Sequence, residues 1–165
     1  MRYYDIVAME GVGEGLSRSL GFERVFSAKD IRVIDRPSGN SAYLLRSSEP
    51  GSIFRALGDR NCLGVIFKDN VPVKKTLEKV ASSEKPVVIP ITELTCASGA
   101  SFMRNTYRLR SVLEACEKAG VDAAIVSLAS SDSDVLSALQ MLELARFIGA
   151  GDAKAKAMVS HRWRA

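Results

Sequence analysis

Three arginines close together on helical sequence are the residues best suited to chemistry in this chain. Ser98-Gly-Ala-Ser101 leads into Arg104, Arg108 and Arg110. Arg104 and Arg108 are four apart, which on a helix sets them on one face. Planar guanidinium groups there hold phosphate oxygens through paired hydrogen bonds. Phosphate contacts of that kind dominate RNA affinity and make it salt-dependent. Tyr107 beside them offers a ring for base stacking. The plainer alternative is a solvated helix face whose long side chains lie along apolar surface.

Other groups are weaker candidates. The stretch from Ser127 to Asp134 holds four serines and two aspartates. It follows a strand and feeds a helix, where α/β proteins place ligands. Asp132 and Asp134 are two apart and would not share a helical face, so a metal-binding pair is disfavoured. A helix N-cap at Ser131, Asp132 or Ser133 is favoured instead. Glu10-Gly-Val-Gly-Glu-Gly15 resembles a phosphate-cradling turn, but Glu10 and Glu14 repel an anion and the spacing is not that of a dinucleotide site. A tight strand-to-helix turn is the simpler reading. Lys154 and Lys156 sit in Asp-Ala-Lys-Ala-Lys-Ala, a strong helix former. Two apart, they point to different faces, so one at most meets any given ligand. The tail His161-Arg-Trp-Arg164 is basic and aromatic, and either touches RNA or frays.

Some chemistries are excluded by what is scarce. His161 is the single histidine, and a terminal segment is a poor place for a pre-organised base. Zinc and most transition-metal sites draw on histidine or clustered cysteine, so no metal site on the protein is expected. Cys62, Cys96 and Cys116 are scattered, as expected of reduced thiols in a cytoplasmic protein. No signal peptide or membrane span is expected. The net charge of +4 permits an anionic partner without demanding one.

The elements that position these residues alternate. Apolar runs predict strands over residues 4–9, 24–27, 31–34, 42–46, 63–67, 86–91 and 121–127. Helical patterns fall over 13–20, 49–57, 73–82, 102–119 and 135–148, with Gly120 stopping the long one. Residues 92–100 read as a loop. At 165 residues, with no linker and no short repeat, a single domain spanning 1–165 is expected. Strand–helix alternation implies parallel pairing. About seven strands in so short a chain predict an α/β fold, a compact, trimmed TIM-like (β/α) barrel, with an open doubly wound sheet as the alternative.

From about residue 102 onward the chain resembles a family, the archaeal ribonuclease P protein component three. This is the homologue of the human thirty-kilodalton subunit, with a barrel related to the polymerase and histidinol phosphatase (PHP) hydrolases. The resemblance is carried by Arg104-Asn, Glu117-Lys118, Ile125-Val-Ser-Leu-Ala129, Ser133-Asp-Val135, Leu142-Glu-Leu-Ala145, Phe147-Ile-Gly149 and Ala153-Lys-Ala-Lys-Ala157 to Ser160. Tyr4-Asp5 and Leu20-Gly-Phe-Glu23 fit the family's opening strand and first crossover. Leu136 and Ala138 stand near where the family carries arginine and proline.

The resemblance implies a non-catalytic subunit of a ribonucleoprotein. It would pair with a second small protein subunit, as a heterodimer or heterotetramer, and support the ribonuclease P RNA. That RNA hydrolyses the 5′ leader of precursor tRNA with Mg2+, and the protein itself would bind no cofactor. By position, Arg104, Arg108, Arg110, Lys154 and Lys156 are the expected RNA contacts. Two other readings stay open. One is a small barrel enzyme holding a phosphorylated metabolite at the turns near Gly99 and Ser130, with Glu93 or Lys68 as acid or base. The other is a barrel that serves only as an interaction scaffold.

Overall fold

The structure is a computed structural model that describes residues 2–9, 14–37, 40–69 and 71–163. The glycine-rich turn at residues 10–13, the centre of the 36–41 loop and Arg164 of the tail lie outside the described residues. Seven strands are present among them: β1 (Tyr4–Ile6), β2 (Arg24–Phe26), β3 (Arg32–Ile34), β4 (Tyr43–Ser47), β5 (Cys62–Phe67), β6 (Val87–Pro90) and β7 (Ala123–Val126). The helices are α1 (Glu14–Ser19), α2 (Pro50–Leu57), α3 (Lys74–Ala81), α4 (Thr92–Thr95), α5 (Gly99–Ala119), α6 (Ala138–Phe147) and α7 (Asp152–Val159).

Every strand pair is parallel. The strands form two ladders, β1-β2 and β3-β4-β5-β6-β7. The α/β class, parallel pairing and seven strands expected from the sequence are present, and the trimmed barrel is not closed. Two short bonds bring the ladders edge to edge: Leu128 N–H donates to Ile6 O at 2.9 Å and Ala8 N–H to Ala129 O at 2.8 Å. The resulting order is β2-β1-β7-β6-β5-β4-β3, a barrel-like arc open between β2 and β3. The gap has a simple cause. Only residues 27–31 link β2 to β3, and Asp30 N–H and Ile31 N–H fold that link back onto Ser27 O at 3.0 Å. A parallel crossover normally needs a dozen residues or more.

The seam between β1 and β7 is fastened by a side chain. Asp5, fully buried, accepts from Ser127 N–H at 2.7 Å, Ser127 Oγ–H at 2.5 Å and Ile6 N–H at 2.8 Å. The carboxylate thus stands in for a ladder that the three-residue β1 is too short to build.

Inside the arc pack Ile6, Phe26, Leu44, Ile66, Val88 and Ala124. Trp163 joins them, 5% exposed. The tail expected either to fray or to touch RNA is thus anchored at Trp163, whose large ring closes one end of the interior. On the outer face the strands are covered by α2, α3 and α5 on one side and by α5, α6 and α7 on the other. Strands covered on both faces must be apolar throughout, which is why β5, β6 and β7 read as unbroken apolar runs. Gly64 in β5 is needed for close approach: a Cβ there would meet Val88 Cγ2 at 2.7 Å and Pro86 O at 3.0 Å.

Three helix boundaries differ from the sequence reading. Residues 92–95 are helical, and α5 starts at Gly99, so the expected 92–100 loop shrinks to a bend. The α6 cap is Ser137, not Ser131, Asp132 or Ser133. Ser137 Oγ accepts from Gln140 N–H while Gln140 Oε1 accepts from Ser137 N–H, a capping box. The upstream serines are consumed locally: Ser131 Oγ–H donates to Asp134 at 2.7 Å, closing a single 3-10 turn over Asp132–Asp134. Gly120 ends α5 in the left-handed conformation (φ 65°), as its position predicted. The three cysteines are unpaired, Cys62 and Cys116 buried and Cys96 exposed.

Candidate nucleic-acid interface

α5 carries the arginine cluster, and its first turns are moored to the C-terminal ends of β5 and β6. Asn105 Nδ2–H donates to Glu93 O at 2.6 Å. Arg108 Nη1–H donates to Phe67 O at 3.1 Å, and the same guanidinium is ion-paired with Glu93. Arg108 is only 15% exposed at its side chain, and burial lowers its pKa, opposed by the nearby Asp69 carboxylate. It remains a cation, because a guanidinium stays protonated far above neutral pH. Thr106 closes the turn by donating to Phe102 O at 2.8 Å.

The face that Arg104 and Arg108 were expected to share is therefore divided in depth. Arg108 points inward and holds α4 against α5. Arg104 is exposed, and among the described residues its guanidinium bonds only Ser101 Oγ, at 3.3 Å. Next to it Met103 and Tyr107 are 67% and 75% exposed. Arg104, Met103 and Tyr107 thus form a ridge with a cation and an uncovered ring, the combination that phosphate binding and base stacking need.

The remaining predicted residues are spread around the same flank. Arg110 Nη2–H donates to Phe147 O at 2.9 Å, satisfying a carbonyl at the end of α6. Phe147 is half exposed and its ring lies 5.9 Å from that of Phe102. Lys154 is ion-paired with Glu117 at 3.0 Å, tying α7 to the far end of α5. Lys156 is exposed, turned away from Lys154 with buried Ala155 between them. The structure thus brings Arg104 and Arg108 to one cleft and leaves Arg110, Lys154 and Lys156 elsewhere.

That cleft, about 400 Å³, is lined by Lys68, Asp69, Glu93, Arg104, Asn105 and Arg108. A second hollow of about 300 Å³ adjoins it over the open end of the strands, with Arg46 and Leu128 among its walls and Glu93 in common. Both sit at the C-terminal strand ends, the end where α/β folds place ligands. Leu128 has a left-handed backbone (φ 51°), unusual for a branched apolar residue. Its N–H is held by Ile6 O at the β1–β7 seam. Glu93 and Lys68, named from sequence as an acid or base, line one cleft, but Glu93 is committed to Arg108. The Ser130–Asp134 turn takes no part in either cleft. Among the described residues, no group of three or more His, Cys, Asp and Glu side chains is placed to hold a metal ion. No helix among them is long and apolar enough to cross a membrane.

No protein family and no curated protein matches the sequence. Solved structures do match. A chain in the cryo-EM structure of archaeal Ribonuclease P with mature tRNA superposes with a TM-score of 0.68, over 94% of this chain and 76% of that one, at 10% identity. The fold is shared with that chain. Weaker likenesses, each with a TM-score of 0.49, join it to A. niger ochratoxinase (14% identity, 72% of this chain, 28% of that one) and to an amidohydrolase (16% identity, 73% and 31%). This chain spans less than a third of either enzyme's length.

Proposed function

We propose that this chain is a protein subunit of ribonuclease P. It pairs with a second small protein subunit and supports the catalytic RNA in removing the 5′ leader of precursor tRNA. The observation that carries the reading is the likeness over 94% of the chain to a component of the archaeal ribonuclease P structure. The order of sequence motifs from Arg104 to Ser160 and the exposed cationic–aromatic ridge on α5 support it independently.

In this reading the chain does no covalent chemistry. Arg104 and Lys156 contact phosphates directly, and Tyr107 stacks on an unpaired base. Arg108, Arg110 and Lys154 act one step back, because each is already bonded to protein and fixes the helix that presents the contacts. The Mg2+ belongs to the RNA's own chemistry, and no residue of this chain is assigned as its ligand. Binding of the protein to ribonuclease P RNA, measured across a salt series, tests this division of labour. Arg104→Gln and Lys156→Gln each lower the slope of log K against log salt by a little under one. Unchanged slopes in both variants would contradict it.

A second reading, a small enzyme holding a phosphorylated metabolite, has one observation in its favour: Lys68 and Arg104 share a cleft at the C-terminal strand ends. Stoichiometric binding of inorganic phosphate or a sugar phosphate there, displaced by Arg104→Gln, would favour it over the RNA-processing role.

A further inference from the structure

A third cleft lies away from α5, beside β2. It measures about 610 Å³, and Arg18 from α1, Arg24 from the first position of β2 and Arg162 from the tail all line it. Arg162 lies far in sequence from Arg18 and Arg24 and joins them because Trp163, next to it, is buried in the strand interior. All three are exposed. Among the described residues Glu23 is the one carboxylate in the lining, and it is drawn to Arg2 at 2.9 Å. Arg24 lies over the Phe26 ring at 4.4 Å and meets Asp30 only at 3.8 Å. Three guanidinium groups therefore face one hollow, and among the described residues the long Arg24–Asp30 pair is the one ion pair they make. Such a concentration of positive potential is relieved by a bound anion.

We propose that this cleft is a second RNA-binding site, one that grips the phosphodiester backbone. Phosphate is the chemistry that several converging guanidinium groups match best. Base recognition is not built in, because Phe26 and Trp163 are 2% and 5% exposed and offer no open face for stacking. Contacts here position RNA without reading its sequence. The choice of RNA as the source of the phosphates rests on the ribonuclease P reading above. Tyr4, Glu23 and Arg24 place the cleft at the N-terminal ends of β1 and β2, whereas the α5 cleft lies at the C-terminal ends of β5 and β6. The protein then holds two RNA segments at opposite ends of its strands.

Trp163 is the single tryptophan and lines the cleft, so its fluorescence reports on this site alone. The experiment titrates the full chain with ribonuclease P RNA across a salt series. It follows Trp163 emission and binding, for the unmodified protein, the Arg18→Gln/Arg24→Gln/Arg162→Gln variant and Arg104→Gln. The expected result is a saturable emission change that the triple variant loses and Arg104→Gln keeps. The salt slope of the triple variant falls by about 2 to 3, three contacts at 0.7–0.9 each. Should the triple variant unfold, Arg162→Gln, a change at an exposed side chain, lowers the slope by a little under one.

A folded triple variant that binds RNA with the same slope and within twofold of the original affinity overturns the proposal. So does a pyrophosphate titration that saturates the emission change without weakening RNA binding, since the site would then serve a small anion. Precursor-tRNA cleavage is scored in parallel. Stimulated cleavage with no emission change removes the second site and leaves the ribonuclease P reading. An emission change that the triple variant loses, with no stimulation of cleavage, leaves the site and removes the reading.

Discussion

Replacing Asp5 with Asn probes the one carboxyl that the fold buries completely among the described residues. Three protein donors surround the carboxylate, yet burial dominates and raises its pKa from 3.8 to about 6. The hydrogen bonds from Ser127 and Ile6 lower it only in part. The folded state thus keeps a proton that the unfolded chain releases near pH 4. Stability from this group is greatest below about pH 4, falls as pH rises toward about 6, and is flat beyond. At about 1.4 kcal/mol per pH unit, the difference between the two pKa values amounts to about 3 kcal/mol. Asparagine suits the same pocket. Its Oδ1 accepts from Ser127 N–H and Ile6 N–H, and its Nδ2–H donates to Ser127 Oγ, whose own proton turns toward Ile6 O, 3.4 Å away. Urea melts of both proteins between pH 4 and pH 7.5 give the difference in stability at each pH. Taking the difference cancels other titrating groups, including Asp30 and Asp59, whose lowered pKa values act in the opposite direction. Asp5→Asn should gain about 3 kcal/mol relative to the original protein across that range. A pH-independent difference would falsify the assignment of a buried, near-neutral carboxylate at the seam.

Trp163→Ala should cost about 3–5 kcal/mol in a thermal or urea melt, because it empties the interior cluster at one end of the strands; a loss under 1 kcal/mol would mean that the tail is not anchored. Gly64→Ala should destabilise by about 1–3 kcal/mol, since the new methyl meets Val88 and the Pro86 carbonyl with no room to shift. Arg108 and Arg104, one turn apart, should separate cleanly. Arg108→Ala leaves the Glu93 carboxylate without its partner and should cost about 1–3 kcal/mol of stability. Arg104→Ala should move stability by less than about 0.5 kcal/mol while weakening RNA binding. Equal melting temperatures for the two variants would contradict the inward placement of Arg108.

The sequence made the framework legible wherever burial on both faces leaves a strong signal. β5, β6 and β7 were visible as apolar runs, and the end of α5 at Gly120 followed from the left-handed conformation glycine tolerates. The misses have physical reasons. Gly99-Ala-Ser reads as loop by local preference, yet the mooring of Asn105 and Arg108 on Glu93 and Phe67 holds α4 and the start of α5 in helical form. Ser131 and Ser133 look as good a cap as Ser137, and only the position of Gln140 three residues beyond Ser137 separates them. Helical spacing placed Arg104 and Arg108 on one face correctly, but spacing carries no information about depth. Asp5 had a faint signal, an acidic residue at the centre of the short run Tyr4-Asp-Ile-Val, and its partner Ser127 is 122 residues away. The Arg18–Arg24–Arg162 cleft had none, because its members meet only through tertiary packing.

The central claim is that this chain works as part of a ribonuclease P. Its most direct test is reconstituted cleavage of precursor tRNA by the cognate ribonuclease P RNA, at limiting Mg2+, with and without this protein and its small protein partner. The account predicts that both proteins together stimulate 5′ leader removal, that neither cleaves without RNA, and that Arg104→Gln weakens the stimulation. Absence of stimulation at every Mg2+ concentration, with the two proteins folded and present in excess, would contradict it.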